Sequence, residues 1–273
     1  MNRLIRLLSL FRLHNVLAAL LAVGVGYSMN NPGTLPWALL LAVSLAAAAG
    51  NVINDYYDYG IDRVNKPGRP IPAGIISPGR ALIIYLLLLL ALAATLLFLT
   101  PVQTVWIICW AVLLHLYSMR FKRSMIIGNL TVSALTASGF ILGAYSSGNA
   151  GTGIIPALFT FFFIFAREVV KDCEDIDGDY IFGARTMAIV VGEKVAMRVA
   201  AVMFLLLALG FPVPFLAGIY GSSYFYLTLF SIVPILLVSS YLAFMNRGAG
   251  LISIILKVGI FFGIIGFYYA LRG

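Results

Sequence analysis

This chain spends its carboxylates sparingly and groups them. Nine of its ten Asp and Glu residues fall in two short stretches. The first, GNVINDYYDYGIDRVNKPGRPIPAG at residues 50–74, holds Asp55, Asp58 and Asp62, followed by Arg63, Lys66 and Arg69. The second holds Glu168, Asp172, Glu174, Asp175, Asp177 and Asp179. At 100° per residue, Asn51, Asn54, Asp55, Asp58 and Asp62 fall within about 100° of arc on a helix, a single row of oxygen donors. Oxygen-only donor sets suit hard cations such as Mg²⁺ rather than zinc. The bases that follow suit an anion held beside that cation.

The two stretches superimpose with a shift of 117 residues, which places Asp55 on Asp172, Asp58 on Asp175 and Asp62 on Asp179. Asn51 falls on Glu168 and Asn54 on Lys171, while Gly60 and Gly178 are out of step by one position. Each stretch ends an apolar run and opens an Arg- and Gly-containing loop. Simple neutralisation of helix ends by Arg and Lys needs no fixed spacing, still less a repeated one. That simpler role is the expectation for Glu174 and Asp177, on the other side of the second helix. Duplicated halves commonly meet at a binding site. The repeat therefore predicts two acidic faces looking at each other across a central cavity, with residues 63–74 forming a loop over the bound head groups.

The elements that must position these groups are membrane helices. The 273 residues are 62% apolar and 10% charged, with a mean hydropathy of +1.03. A soluble domain is nearer about 25% charged. Apolar runs at about 13–29, 36–57, 80–100, 102–119, 126–146, 153–170, 195–217, 223–245 and 251–271 each approach the ~20 residues that cross a bilayer. The expected fold is all-α: one polytopic membrane bundle over residues 1–273, with about nine transmembrane helices. Its halves run over about 13–125 and 126–245, plus a last helix, around a central cavity.

The formal net charge of +8 fits the positive-inside rule rather than nucleic-acid binding. With the N-terminus inside, the inner loops at about 58–79, 119–125, 171–194 and 246–250 hold most of the Lys and Arg, while 30–35, 147–152 and 218–222 hold no charge. The expectation is a multi-pass protein of the cell membrane, with its N-terminus and active site on the cytoplasmic side. Only Lys257, inside the last run, and Arg272 sit awkwardly in that scheme. Arg3, Arg6 and Arg12 among leucines make a short basic amphipathic segment expected on the membrane surface. The first apolar run outlasts a signal-peptide core, so no cleavable signal is expected.

Several smaller features have plain expectations. Cys109 and Cys173 suggest no disulfide framework and are expected to be small buried residues. His14 and His115 are isolated, which favours packing or interfacial roles. Gly139-x-x-x-Gly143 and Gly259-x-x-x-Gly263 predict close helix packing. Asn129-Leu-Thr131 matches a glycosylation sequon but opens an apolar run, so it is discounted.

Facing carboxylate rows could hold two or more Mg²⁺ ions, and Arg and Lys at the rim could bind the oxygens of a departing diphosphate. An apolar bundle beneath suits an isoprenoid tail. Departure from an allylic carbon leaves a cation that aromatic faces stabilise by roughly 0.5–2 kcal/mol each. Tyr56, Tyr57, Tyr59, Tyr117 and the phenylalanines of 159–165 are available. The loop LHLYSMRFKRS adds Arg120, Lys122 and Arg123, with Lys122 and Arg123 as candidate phosphate contacts. A cation-coupled transporter would share the repeat and the carboxylates. Such proteins place charge near the midplane on broken helices, whereas these acids sit at helix ends and run into basic loops.

NDYYDYGID (54–62) resembles the first aspartate-rich motif of the UbiA superfamily of intramembrane prenyltransferases, and KDCEDIDGD (171–179) resembles the second. The resemblance covers essentially the whole chain and implies Mg²⁺-dependent prenyl transfer. Carried over, Asn54, Asp58 and Asp62 match metal ligands of the first motif. Asp175 and Asp179 match those of the second, with Asp172 beside them. Lys122 matches the basic residue of an inner loop. Tyr117 lies five positions before it, where the family spacing is Tyr-x-x-x-Lys. Asp58, Asp62, Asp175, Asp179 and Lys122 are thus the expected catalytic set. Asn51, Asp55, Arg63, Lys66, Arg69, Tyr117, Lys122, Arg123, Arg167, Lys171 and Arg185 are expected substrate contacts. GNLTVSAL and REVVKDCEDIDGDYIFGARTMAIVVG further resemble the archaeal ether-lipid branch. The implied partners are geranylgeranyl diphosphate as donor, geranylgeranylglyceryl phosphate as acceptor, and membrane lipids. An aromatic quinone precursor or haem is the alternative acceptor.

Overall fold

A computed structural model describes residues 7–272. The helices are α1 (Leu13–Ser28), α2 (Trp37–Tyr57), α3 (Tyr59–Asn65), α4 (Pro78–Leu96), α5 (Pro101–Met119), α6 (Ile127–Ser146) and α7 (Ile154–Glu174). They continue as α8 (Ile176–Ile181), α9 (Met187–Val190), α10 (Glu193–Gly210), α11 (Val213–Leu216), α12 (Ser222–Phe230), α13 (Ile232–Phe244) and α14 (Ala249–Tyr269). No strand occurs among the described residues. Eight helical segments are long and apolar enough to cross a membrane, and α1, at 16 residues, is a shorter ninth. The bundle therefore has the expected number of apolar helices.

Local chemistry explains many of the ends. Pro78 and Pro101 start α4 and α5, where a missing N–H costs nothing. Thr100 and Gln103 form a reciprocal capping box at α5. Ser231 breaks the span of residues 222–244, three residues ahead of Pro234, whose ring cannot fit against the carbonyl four residues before it.

The bundle packs as two lobes sharing α1 and α6. One buried cluster joins Phe140 of α6, Val169 of α7, Phe204 of α10, Leu236 of α13 and Leu256 of α14. The other joins Val23 of α1, Val43 of α2, Ile107 of α5 and Leu142 of α6. A smaller cluster ties Ile53 of α2 and Tyr85 of α4 to Ile71 and Ile76 of the loop between α3 and α4. Outward residues such as Leu90, Leu97, Phe98 and Phe230 are large, apolar and exposed, as lipid-facing positions should be.

At the α1–α6 crossing the backbones almost touch. A Cβ on Gly143 would stand 2.1 Å from the Val23 carbonyl oxygen, and one on Gly26 would stand 2.3 Å from that of Phe140. The second glycine pair behaves differently. Gly259 packs against Ile235, but nothing lies within 4 Å of a Cβ on Gly263, so this pair is not a two-residue packing motif.

Two further expectations are corrected. Cys109 is exposed because it lines an outward-open groove between α5 and α6; Cys173 is buried. Arg12 does not lie on the membrane surface. It turns inward with a left-handed backbone (φ 45°) and bonds Asp55, an ion pair that outweighs surface solvation. Arg3 and Arg6 lie outside the described residues.

Gly143→Ala is expected to cost about 1–3 kcal/mol, because the added methyl meets backbone that cannot yield. Gly263→Ala should be near neutral. Thermal unfolding in detergent checks both, and equal effects at the two positions would contradict this packing.

Candidate active site

Two helices end within the carboxylate stretches. α2 stops at Asp58 (φ −84°, ψ −3°) and restarts as α3; α7 stops at Asp175 (φ −99°, ψ 9°) and restarts as α8. Both sit in the bridge region of backbone space, where functional residues often occur. The row of oxygens is consequently not one straight helix face. Asp62 stands on α3, although its N–H still bonds the Asp58 carbonyl at 2.8 Å.

The two breaks are bolted together by Asn65. Its Nδ2 donates to the Asp175 carbonyl at 2.9 Å, and its Oδ1 accepts from the Gly178 N–H at 2.9 Å. A Cβ on Gly178 would fall 2.5 Å from that amide, so the approach requires glycine. Nothing in the sequence pattern singles out Asn65; its partners lie more than 100 residues away.

Between these ends lies a cavity of about 700 Å³. Asn51, Asn54, Asp55, Asp58 and Asp62 line one side, and Arg167, Lys171, Asp175 and Asp179 line the other. Lys66 and Arg69 from the loop after α3, and Tyr117 and Lys122 from the end of α5 and the turn after it, complete this end. The expected central cavity with facing acidic walls is therefore present. An apolar groove of about 810 Å³ between α5 and α6 opens outward and shares Trp110 and Leu135 with the cavity wall.

Some expected contacts stand elsewhere. Asp172 does not line the cavity; it accepts a hydrogen bond from Asn129 Nδ2 at 2.9 Å, which anchors α7 to α6. Asn129 is accordingly a buried structural residue. Arg63 is exposed, with its guanidinium over the Tyr59 ring, 5.1 Å from the centroid. Arg123 and Arg185 are exposed and meet through backbone, Arg185 N–H to Arg123 carbonyl at 2.8 Å. All three side chains are exposed and stand outside the cavity lining. Glu174, expected to face away, instead lines the cavity edge and accepts from Ser253 Oγ at 2.6 Å. His115 is a packing residue: Tyr57 and Tyr85 hydroxyls stand 3.4 and 3.1 Å from its two nitrogens.

Carboxylates and bases are interleaved across the site. Lys122 pairs with Asp58, and Asn54 Nδ2 donates to the same carboxylate at 2.9 Å. Arg69 pairs with Asp62 at 2.5 Å and Asp55 at 3.4 Å. Lys66, from the first stretch, pairs with Asp175 of the second at 2.5 Å. Even so, the charge is not comfortable. Burial, with Asp58 and Asp55 alongside, raises the Asp62 pKa despite Arg69. Burial, partly offset by Lys122 and reinforced by Asp175 and Asp58, pushes Asp179 up to about 6. Crowded carboxylates of this kind are relieved by added positive charge. The donors are amide and carboxylate oxygens, the set that suits a hard divalent cation. Among the described residues no three acids already converge in a metal-ready cluster, since most of these carboxylates are turned onto a base.

The comparison with known proteins decides the family. The model of the UbiA prenyltransferase family matches residues 16–270. The chain belongs to the UbiA prenyltransferase family. It is thus a membrane-embedded prenyltransferase. Among UbiA relatives, a Methanopyrus kandleri protein described as digeranylgeranylglyceryl phosphate synthase is 36% identical over 272 residues, covering 97% of this chain and 98% of its own. A Thermococcus kodakarensis protein with the same description is 36% identical over 271 residues, 95% of each chain. A solved structure from work on "digeranylgeranylglyceryl phosphate synthase in membranes" superimposes with a TM-score of 0.70 at 28% identity, covering 98% and 99% of the two chains. A UbiA homolog from Archaeoglobus fulgidus, bound to GPP and Mg²⁺, shares the fold with a TM-score of 0.68 at 17% identity, covering 97% and 99%.

Removing the bolt should separate the two halves of the site. Asn65→Ala and Gly178→Ala should each destabilise by about 1–2 kcal/mol, the worth of buried hydrogen bonds lost or displaced. Because they act on one contact, the double variant should cost less than the sum. Additive losses in thermal unfolding would show that the two residues are not coupled.

Proposed function

We propose that this chain transfers a geranylgeranyl group from geranylgeranyl diphosphate to the free hydroxyl of geranylgeranylglyceryl phosphate. The allylic C–O bond to diphosphate breaks and an ether C–O bond forms. The products are digeranylgeranylglyceryl phosphate, diphosphate and the hydroxyl proton. The observation that carries the prenyl-transfer chemistry is the meeting of Asp58 and Asp62 with Asp175 and Asp179 around one lipid-embedded cavity. The acceptor rests on the relatives described above, which cover nearly the whole chain.

Asn54, Asp58, Asp62, Asp175 and Asp179 would hold Mg²⁺, two or more ions, with Asp172 steadying α7 behind them. Bound there, Mg²⁺ supplies the charge that lets a diphosphate depart. The chain's own bases do the rest. Lys122, Lys66 and Arg69 present N–H donors to phosphate oxygens at the cavity mouth. Tyr117 closes the cavity wall beside Asp58 and offers a ring face to the developing cation. Asn51 and Asp55 hold Arg12 and the start of α1 against this end, which helps keep water out. The isoprenoid tails would run down the apolar wall toward Trp110 and Leu135.

The distribution of Lys and Arg supports an N-terminus and active site on the cytoplasmic side of the cell membrane. The equal backbone breaks at Asp58 and Asp175, 117 residues apart, support a single domain of two related halves, 13–125 and 126–245, plus α14.

Asp58→Asn and Asp175→Asn should remain folded in detergent while turnover falls at least about a hundredfold. Asp177→Asn, exposed and outside the cavity, should stay near wild type. Near-normal turnover in both site variants would remove these residues from metal binding. For the acceptor, the purified enzyme is given labelled geranylgeranyl diphosphate and each candidate in turn. Label should appear in the glyceryl phosphate ether; label in a hydroxybenzoate alone would overturn the acceptor.

A further inference from the structure

Charge is matched at the aspartate end of the cavity and unmatched on its far flank. Arg12, Lys66, Arg69 and Lys122 each lie within ion-pair distance of an aspartate. Lys257, about two turns into α14, lines the same cavity, yet no carboxylate lies within 4 Å of it among the described residues. The nearby acid is engaged otherwise: Glu174 accepts from Ser253, one turn before Lys257. Across the gap stands His14 at the start of α1, and the charges acting on it are all positive, from Lys257, Arg12 and Arg167. Arg167 completes the group. Its Nη1 donates to Glu168 at 2.7 Å, but Glu168 is shared with Lys171 at 2.8 Å. The buried Nε of Arg167 has no partner at all.

An ammonium inside an apolar span is costly and by default marks a ligand path. Here it sits with an orphaned guanidinium N–H and a histidine, at the seam where α1 packs on α14. The two ends of the cavity also differ in what an anion would need. At the aspartate end, the carboxylates would hold phosphate oxygens with the help of a divalent cation. At the Lys257 flank, the positive charge is already built in.

We propose that Lys257, with Arg167, forms a metal-independent subsite for the phosphate monoester of the lipid acceptor, making Lys257 a specificity-determining residue. This rests on the acceptor proposed above. The acceptor's phosphate sits between α1, α7 and α14, its chain lies along the α1–α14 seam, and its free hydroxyl points to the aspartate end. A phosphate-free or aromatic acceptor gains nothing from this flank.

The test uses the full chain in detergent with EDTA present. Geranylgeranylglyceryl phosphate should raise the unfolding temperature, and geranylgeranylglycerol, which lacks the phosphate, should not. Lys257→Met should abolish that difference and Lys257→Arg should preserve it. In turnover with Mg²⁺, Lys257→Met should raise KM for the acceptor about tenfold, equivalent to about 1.4 kcal/mol, while KM for geranylgeranyl diphosphate stays put. An unchanged acceptor KM would mean that Lys257 only reaches for the membrane surface, and the proposal fails. A rise in the diphosphate KM instead would also overturn it. Equal stabilisation by phosphatidic acid would assign the site to bilayer head groups, not the acceptor. If the wild type shows Lys257-dependent stabilisation without Mg²⁺ but transfers nothing to the glyceryl phosphate, the phosphate site stands and only the acceptor assignment falls.

Discussion

Every feature of the site follows from one constraint: a carboxylate withdrawn from water must find positive charge or lose its own. Asp55, Asp58 and Asp62 are nearly inaccessible to solvent at 1–4% exposure, which leaves them dependent on neighbours. The chain answers by folding bases inward. Arg12 is pulled off the membrane face, Arg69 folds back from its loop, and Lys122 reaches across from the turn after α5. Buried pairs of this sort are not a source of great stability, because desolvation offsets most of the attraction. Their value is functional. On the function proposed above, they would keep a cluster of anions together until a divalent cation and a diphosphate take over the same charges.

The surrounding helices provide the rigidity that such a cluster needs. α1 and α6 approach until backbone meets backbone at Gly26 and Gly143. This fixes the wall between the two lobes. The breaks at Asp58 and Asp175 then carry the chain from the long spans into the short helices α3 and α8, and Asn65 locks one to the other. In hydrocarbon, a free backbone N–H or carbonyl is expensive. Both breaks keep their backbone paired: the Asp62 and Asp179 N–H groups bond the Asp58 and Asp175 carbonyls, and Asn65 adds a second donor to the latter.

Much of this was legible from residue types and periods. Spans announce themselves by length and hydropathy, since any segment long enough to cross a bilayer must hide its polar backbone in a helix. The aspartate stretches were legible for the converse reason: acids are so costly in this setting that a repeated spacing demands a purpose. Spacing alone paired Asp55 with Asp172, Asp58 with Asp175 and Asp62 with Asp179; the narrower set of Asn54, Asp58, Asp62, Asp175 and Asp179 came from the resemblance to the family's two motifs. Place on the same end of the bundle pointed to Lys122 and Arg123 together, and the family resemblance singled out Lys122, with Tyr117 before it.

Sequence by itself determined the membrane class, the helices and the two facing oxygen rows, because those rest on local composition and on one fixed spacing. Tertiary structure decided which partners the groups take. Arg12 reads as a surface base until the start of α1 is seen beside Asp55. Asp172 reads as a cavity ligand until Asn129 is found holding it, and Arg63, Arg123 and Arg185 read as phosphate contacts until their side chains are found exposed and outside the cavity lining. Asn65 and Lys257 carry no pattern at all. Their roles come from contacts between segments more than 80 residues apart, and one-dimensional spacing does not encode which helices meet.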